Sequence, residues 1–185
     1  ASRILNSLAI RVAFVYRDAD GCDILEFHER SSSNSTYKNA WDVAAAGYID
    51  PLRHRDPENP AKISAWQAAA SELAEELSIP RASLPYRDHY KFFGIGRNYP
   101  TGQIDILGYC QSDTPIDPAR TVSPRVQRYG RCLATPEHVA HFITEGQYWV
   151  PTALVTLVFV LQDLGFSRDR INSCFSRIEG LKLFP

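Results

Sequence analysis

Ser64-Ala-Trp-Gln-Ala-Ala-Ala-Ser-Glu-Leu-Ala-Glu-Glu-Leu-Ser-Ile-Pro80 is the stretch on which the reading of this chain turns. It predicts one helix. Ser64 followed by Gln67 is a capping-box start, in which each side chain satisfies a backbone N–H of the first turn. Alanine, leucine and glutamate, all strong helix formers, fill the interior. Pro80 has no N–H with which to continue, and it pushes Ile79 out of the helical region. Trp66, Ala69, Ala70, Leu73 and Leu77 recur at helical spacing and form an apolar stripe for a core. Glu72, Glu75 and Glu76, at i, i+3 and i+4, are expected to converge on a second face. Three like charges held together repel, and a hard divalent cation, which prefers oxygen ligands, would offset that repulsion. Glutamate pairs also recur on solvated helix faces, so the helix alone does not assign a metal.

The residues before the helix bear on that choice. Trp41-Asp-Val-Ala-Ala-Ala-Gly-Tyr48 leads into a loop rich in proline and charge, and then into the helix. A glycine, a loop and a helical Glu-Leu-x-Glu-Glu-x-x-Ile in this order resemble the signature of the Nudix hydrolase family. Gly47 matches the leading glycine, and Glu72, Leu73, Glu75, Glu76 and Ile79 match the helix. The Trp-Asp-Val lead is similar to the branch related to isopentenyl-diphosphate isomerase. Three departures stand out. Ser71 occupies the arginine position, and Ser78 occupies that of the glycine closing the helix. The loop after Gly47 is longer than the signature, so the loop glutamate has no counterpart in register, and Glu58 is the nearest candidate. In the family the arginine ties down that glutamate, and both halves of the pair are altered here, as in a rebuilt loop.

The resemblance implies an α/β fold, a Nudix-type α/β/α sandwich with a mixed sheet, over residues 1–146. Extra helices in 147–185 would form a C-terminal extension packed on it. It also implies Mg²⁺ (or Mn²⁺) held by Glu72, Glu75, Glu76 and the Gly47 carbonyl, with Glu75 and Glu76 as catalytic residues. The implied reaction is hydrolysis of a nucleoside diphosphate linked to another moiety, such as ADP-ribose or a dinucleotide. The alternative is a catalytically weak or inactive module that binds a nucleotide or ADP-ribose in a sensory or regulatory role. Isomerase activity is not expected, because the Asn-x-Cys-Cys-Ser-His-Pro motif it needs does not occur and Tyr48 stands in place of a histidine.

The remainder of the chain supports one globular domain. Of its 185 residues 44% are hydrophobic and the net charge is −1, which argues against disorder and against DNA or RNA as the main partner. Cys22, Cys110, Cys132 and Cys174 are widely spaced, with no Cys-x-x-Cys pair. They read as free thiols in a reducing, cytoplasmic setting. No signal peptide is apparent, and the apolar run from Val150 to Leu161 is too short to span a bilayer. The chain starts at Ala1 and contains no methionine. The expectation is a processed chain or a segment of a longer protein, whose partners are a small-molecule nucleotide and further domains or a second copy.

Leu8 to Tyr16 predicts a central strand, Asp18 to Gly21 a turn, and Asp23 to His28 the returning strand. Tyr37 to Tyr48 adds a strand and the glycine turn. Asp50 to Pro60 holds three prolines and reads as irregular. Pro85 to Gly94 and Gln103 to Gln111 predict a hairpin around a turn at Asn98 to Gly102. Asp113 to Pro124 reads as a surface loop and Arg125 to Ala134 as a further strand. Helices follow from the Thr135-Pro136 start to Gly146, from Pro151 to Leu164, and from Ser167 to Glu179. Candidate ligand-binding residues are Arg30 at a strand end, Arg53 and Arg55 in the loop, whose planar forks match phosphate oxygens, and Trp41 and Phe93 as rings able to stack on a base.

Overall fold

β1, Leu8–Arg17, is buried over all but its two end residues, because it has strands on both sides and a layer on both faces. Its alternation divides the molecule in two. Ile10, Val12, Phe14 and Tyr16 enter one core, and Ala13 and Val15 enter the other. A computed structural model describes residues 8–34, 36–98, 102–113, 124–146 and 148–178.

β1 turns through Asp18 and Gly21 (φ 78°) into β2, Asp23–Arg30, with which it pairs antiparallel. β3 (Trp41–Val43) and β4 (Ala45–Tyr48) divide the single strand expected before the glycine; β3 pairs with β2 and β4 with β1. β5 (Tyr90–Arg97) and β6 (Ile104–Ser112) pair antiparallel, and β6 lies parallel to β1. β7 (Val126–Leu133) pairs with β2. The result is a mixed seven-stranded sheet of order β3-β2-β1-β6-β5, with β4 added to β1 and β7 to β2. Residues 99–101 of the expected turn from Asn98 to Gly102, and 114–123 of the expected loop, lie outside the described residues.

α1, Ala65–Glu76, covers one face. The Ser64 side chain accepts from the Gln67 N–H at 3.4 Å, but the reciprocal half of the expected capping box does not form: the Ser64 N–H donates to the His54 carbonyl and Gln67 Oε1 accepts from Arg81. Ala68, Ala69, Ala70, Leu73 and Leu77 pack on the even-numbered side chains of β1. The helix stops before Pro80. Leu77 donates to the Leu73 carbonyl, and Ser78 follows in the left-handed region at φ 53°. This is the backbone turn that a closing glycine makes without strain. A serine makes it here at a cost of about 1 kcal/mol.

α2 (Pro136–Glu145), α3 (Pro151–Asp163) and α4 (Arg168–Phe175) build the opposite layer. Val150, Ala153, Leu157 and Leu161 pack under Val15, Leu25 and Phe27. α3 and α4, from the segment expected as a C-terminal extension, therefore share this face of the sandwich with α2 of the expected domain. α4 ends short of the expected Glu179, which lies outside the described residues.

Candidate active site

The carboxylate face of α1 splits in two. At about 100° per residue, positions four apart lie about 40° from each other, whereas positions 75 and 76 differ by a full 100°. Glu72 and Glu76 therefore turn inward and are 7% and 3% exposed. Glu75 turns outward and pairs with Arg53 of the loop at 3.0 Å. The expected convergence of three carboxylates is corrected to a buried pair and an exposed third member. Among the described residues, no three His, Cys, Asp or Glu side chains are grouped so as to hold a metal ion.

The buried pair sits against β4. Glu76 Oε2 accepts the Ala46 N–H at 3.0 Å. Glu72 lies against Gly47 so closely that a Cβ there would fall within 3.0 Å of all three atoms of the carboxyl group. Glycine is required by that approach. Glu72 Oε2 is buried without a hydrogen-bond partner. Burial, then Glu75, pushes the Glu72 carboxyl up to about 7, and burial, then Glu72, pushes Glu76 up to about 8. Both shifts follow from taking two neighbouring carboxyls out of water. His28 braces this arrangement from below. It is 1% exposed, and its Nδ1–H donates to the Ala44 carbonyl at 3.2 Å, with Glu76 Oε2 3.8 Å away. Burial holds its pKa down at about 4, so the ring is neutral.

An orphaned carboxylate oxygen, a second carboxylate one turn on and a backbone brought close by glycine are donors that fit a hard cation. Mg²⁺ characteristically uses one or two carboxylates and fills its remaining positions with water and substrate oxygens.

A cleft of about 460 Å³ opens beside the pair, lined by Gly47, Glu76, Arg11, Arg30, Tyr37 and Arg125 among others. Beneath it runs a buried ion network. Arg11 binds Asp42 and reaches Asp105 at 3.3 Å, Arg30 reaches Asp42 at 3.2 Å, and Thr152 donates to Asp105 at 2.8 Å. Burial would raise the Asp42 carboxyl, but Arg11 and Arg30 outweigh it and hold it low. Burial would likewise lower the Arg11 guanidinium, but Asp42 and Asp105 outweigh it and raise it. Neither Arg11 nor Asp42 was expected to carry a role. The signal was a lone arginine inside the apolar run Leu8 to Tyr16, which on a central strand must meet a counter-charge.

The other expected residues divide. Arg30 lines the cleft, but its guanidinium is committed to the Thr36 carbonyl, Asn34 and Asp42. Arg53 stands beside the site on Glu75. Arg55 instead donates to the Pro51 carbonyl, and Glu58 pairs with Arg87 at 3.5 Å, both in the exposed loop. Trp41 is corrected as a base-stacking candidate: it is 7% exposed, with its ring among Phe142 and Trp149. Phe93 is corrected too, because it stacks between Tyr109 and Phe159 on the α3 side of the sheet. Strand alternation decided both, since each falls on the α3 face.

An α/β/α sandwich on a mixed sheet, with a glutamate-bearing helix laid against a glycine strand end, is the Nudix fold. A NUDIX hydrolase from Alicyclobacillus acidocaldarius has a TM-score of 0.62 and 12% identity, covering 87% of this chain and 93% of that one. The NUDIX domain of Shewanella oneidensis NrtR, solved with ADP ribose, has a TM-score of 0.57 and 13% identity, covering 86% and 88%. An Ap4A hydrolase from C. elegans, solved as a binary complex, has a TM-score of 0.53 and 17% identity, covering 86% and 99%. No protein-family model and no curated protein matches the sequence. Among the described residues no helix is long and apolar enough to cross a membrane, and all four cysteines are free.

Proposed function

We propose that this chain is a Mg²⁺- or Mn²⁺-dependent hydrolase of a nucleoside diphosphate linked to a further group, acting in the cleft beside Gly47. The observation that carries the reading is the buried Glu72–Glu76 pair, one oxygen of it unpartnered, at the edge of a cleft lined by arginines. Glu72 and Glu76 would hold the cation, with the Gly47 carbonyl as a further donor. Once bound, the cation would polarise the diphosphate and lower the pKa of a water. The chain's own part is orientation. The Ala46 N–H fixes Glu76, and Gly47 leaves room for Glu72. The Arg53–Glu75 pair is exposed and worth at most about 1 kcal/mol. It can exchange partners at little cost, leaving Arg53 for phosphate oxygens and Glu75 to accept a proton from water. Ligands of the ADP-ribose or dinucleotide class suit the cleft, and the neighbours solved with ADP ribose and as an Ap4A hydrolase support that choice. Four free thiols agree with a reducing, cytoplasmic setting.

One observation favours a second reading. Glu75 is held by Arg53, and no group of three metal-ligating side chains is assembled among the described residues. A module that binds the nucleotide without turnover would have that arrangement. Calorimetric titration of Mg²⁺ and Mn²⁺, with and without ADP-ribose, followed by assay for AMP, separates the two. Cation binding lost in Glu76→Gln together with AMP release supports the hydrolase. Ligand binding without AMP moves the function to recognition, and absence of cation binding removes the metal reading.

A further inference from the structure

Tyr37 lies in the wall of the cleft with φ at 50°. A bulky side chain in the left-handed region is a conformational outlier that persists only where its surroundings over-determine it. They do so here. The phenol O–H donates to Asn98 Oδ1 at 2.6 Å, and Asn98, just beyond β5, is 4% exposed. The ring lies tilted against Tyr148, with centroids 6.3 Å apart. The loop that carries it is fastened at both ends. Arg30 donates to the Thr36 carbonyl and to Asn34, while the Ser31 N–H and Asn34 Nδ2 both donate to the Arg125 carbonyl at 2.9 Å. A half-buried aromatic ring is thus fixed in the same cleft as Gly47 and Glu76.

Trp41 is buried and Phe93 stacks between Tyr109 and Phe159 away from the cleft, and among the described residues the aromatic side chains lining the cleft are Tyr37 and Tyr48. Tyr48 is 59% exposed, so it lacks the packing that fixes Tyr37. A ring already immobilised loses less entropy on binding and makes the better platform.

We propose that Tyr37 is the ring-recognition residue of this cleft, the wall on which the base of a nucleotide lies. The inference rests on the nucleotide-binding reading above and adds the residue that distinguishes a nucleotide from a bare diphosphate. Stacking tolerates any base, because every base presents a π face. The phenol proton is committed to Asn98, so Tyr37 selects for a ring rather than for one purine over another. ADP and GDP should bind alike as far as Tyr37 is concerned.

The test is calorimetry on the full chain with Mg²⁺, using ADP and inorganic pyrophosphate as paired probes. Tyr37→Leu should weaken ADP about 5- to 150-fold, the range for loss of one base–aromatic stack, and leave pyrophosphate unchanged. Tyr37→Phe, which keeps the ring, should retain most of the ADP affinity. Parallel losses for both probes in Tyr37→Leu, or no loss for either, would overturn the assignment while leaving the cleft reading intact. A wild-type protein that binds neither probe would overturn both. A measurement on the unaltered protein guards against a variant that does not fold. With ring-labelled tyrosine, assigned through Tyr37→Phe, ADP should shift the Tyr37 resonance and pyrophosphate should not. An unmoved resonance under saturating ADP would also overturn the assignment.

Discussion

Gly47→Ala tests the centre of the site directly. The new methyl would lie within 3.0 Å of Cδ and both oxygens of Glu72. Glu72 is 7% exposed and packed under β4, so relief requires a shift of the strand or a rotation of the carboxyl group. Overpacking of this kind costs about 1–3 kcal/mol. For a chain of this length each kcal/mol lowers the melting temperature by about 2–4 °C, so a loss of about 2–12 °C is expected. Glu72→Ala vacates the space that the methyl would enter, and the double variant Gly47→Ala/Glu72→Ala should melt close to Glu72→Ala alone. The coupling energy from the cycle should then be about 1–3 kcal/mol, well above the roughly 0.5 kcal/mol seen for independent sites. Melts repeated with millimolar Mg²⁺ add a second readout. The cation should raise the wild-type melting point by preferential binding to the folded state, and that increment should disappear in Gly47→Ala. Additive effects in the cycle would refute the claim that glycine is required here by Glu72. An unchanged Mg²⁺ increment would refute the pair as the cation's seat.

Two further outcomes follow from the buried charges. Glu76 titrates near 8 when folded against an ordinary 4.5. Its contribution is fully present below 4.5 and is lost as pH rises through 8. His28, with its folded value depressed to about 4, contributes in the opposite sense, losing stability only as pH falls below 6.5. Between pH 6.5 and 8 Glu76, joined by Glu72 with its value raised to about 7, therefore dominates, and at about 1.4 kcal/mol per pH unit the metal-free protein should lose about 2 kcal/mol, most of it through Glu76. Glu76→Gln should flatten that slope in urea titrations, whereas an unchanged slope would show that the carboxyl is already ionised at neutral pH. Asp42→Asn removes the carboxylate shared by Arg11 and Arg30. It should cost about 3–5 kcal/mol, as loss of one member of a buried ion pair does. A loss below about 1 kcal/mol would mean that water reaches Arg11.

Most of the strand and helix pattern was legible because local chemistry and tertiary position agreed. Ser64 caps α1 through the Gln67 N–H, and Gly21 takes the positive φ that its turn predicts. Disagreement begins where a residue's role depends on which face of the sheet it meets. Trp41 and Phe93 look alike from the sequence as exposed or buried rings. Only the placement of α2 and α3 over one face decides that Trp41 is core and that Phe93 packs against that core. α3 and α4 read as an extension packed on the domain, because no local feature records that part of the sheet's second face would be bare without them.

The site was legible in composition and not in arrangement. Glu72, Glu75 and Glu76 were identifiable as a set, but a helix 3.6 residues per turn cannot aim all three the same way once one side is buried. Ser78 shows how a motif departure can leave geometry intact, since it takes the left-handed turn expected of glycine. Ser71 shows the opposite. Arg81 reaches back from beyond the helix to donate to Ser71 Oγ at 2.6 Å and to Gln67, so a basic group from another part of the chain stands over this helix face. Arg53 does the same for Glu75 from the lengthened loop. Two arginines recruited from outside the helix thus meet its polar face where the family signature would place one within it. Arg81 meets Ser71 and Gln67 while Arg53 meets Glu75, and on the proposed function it is the release of Glu75 from Arg53 that would separate a hydrolase from a module that only binds.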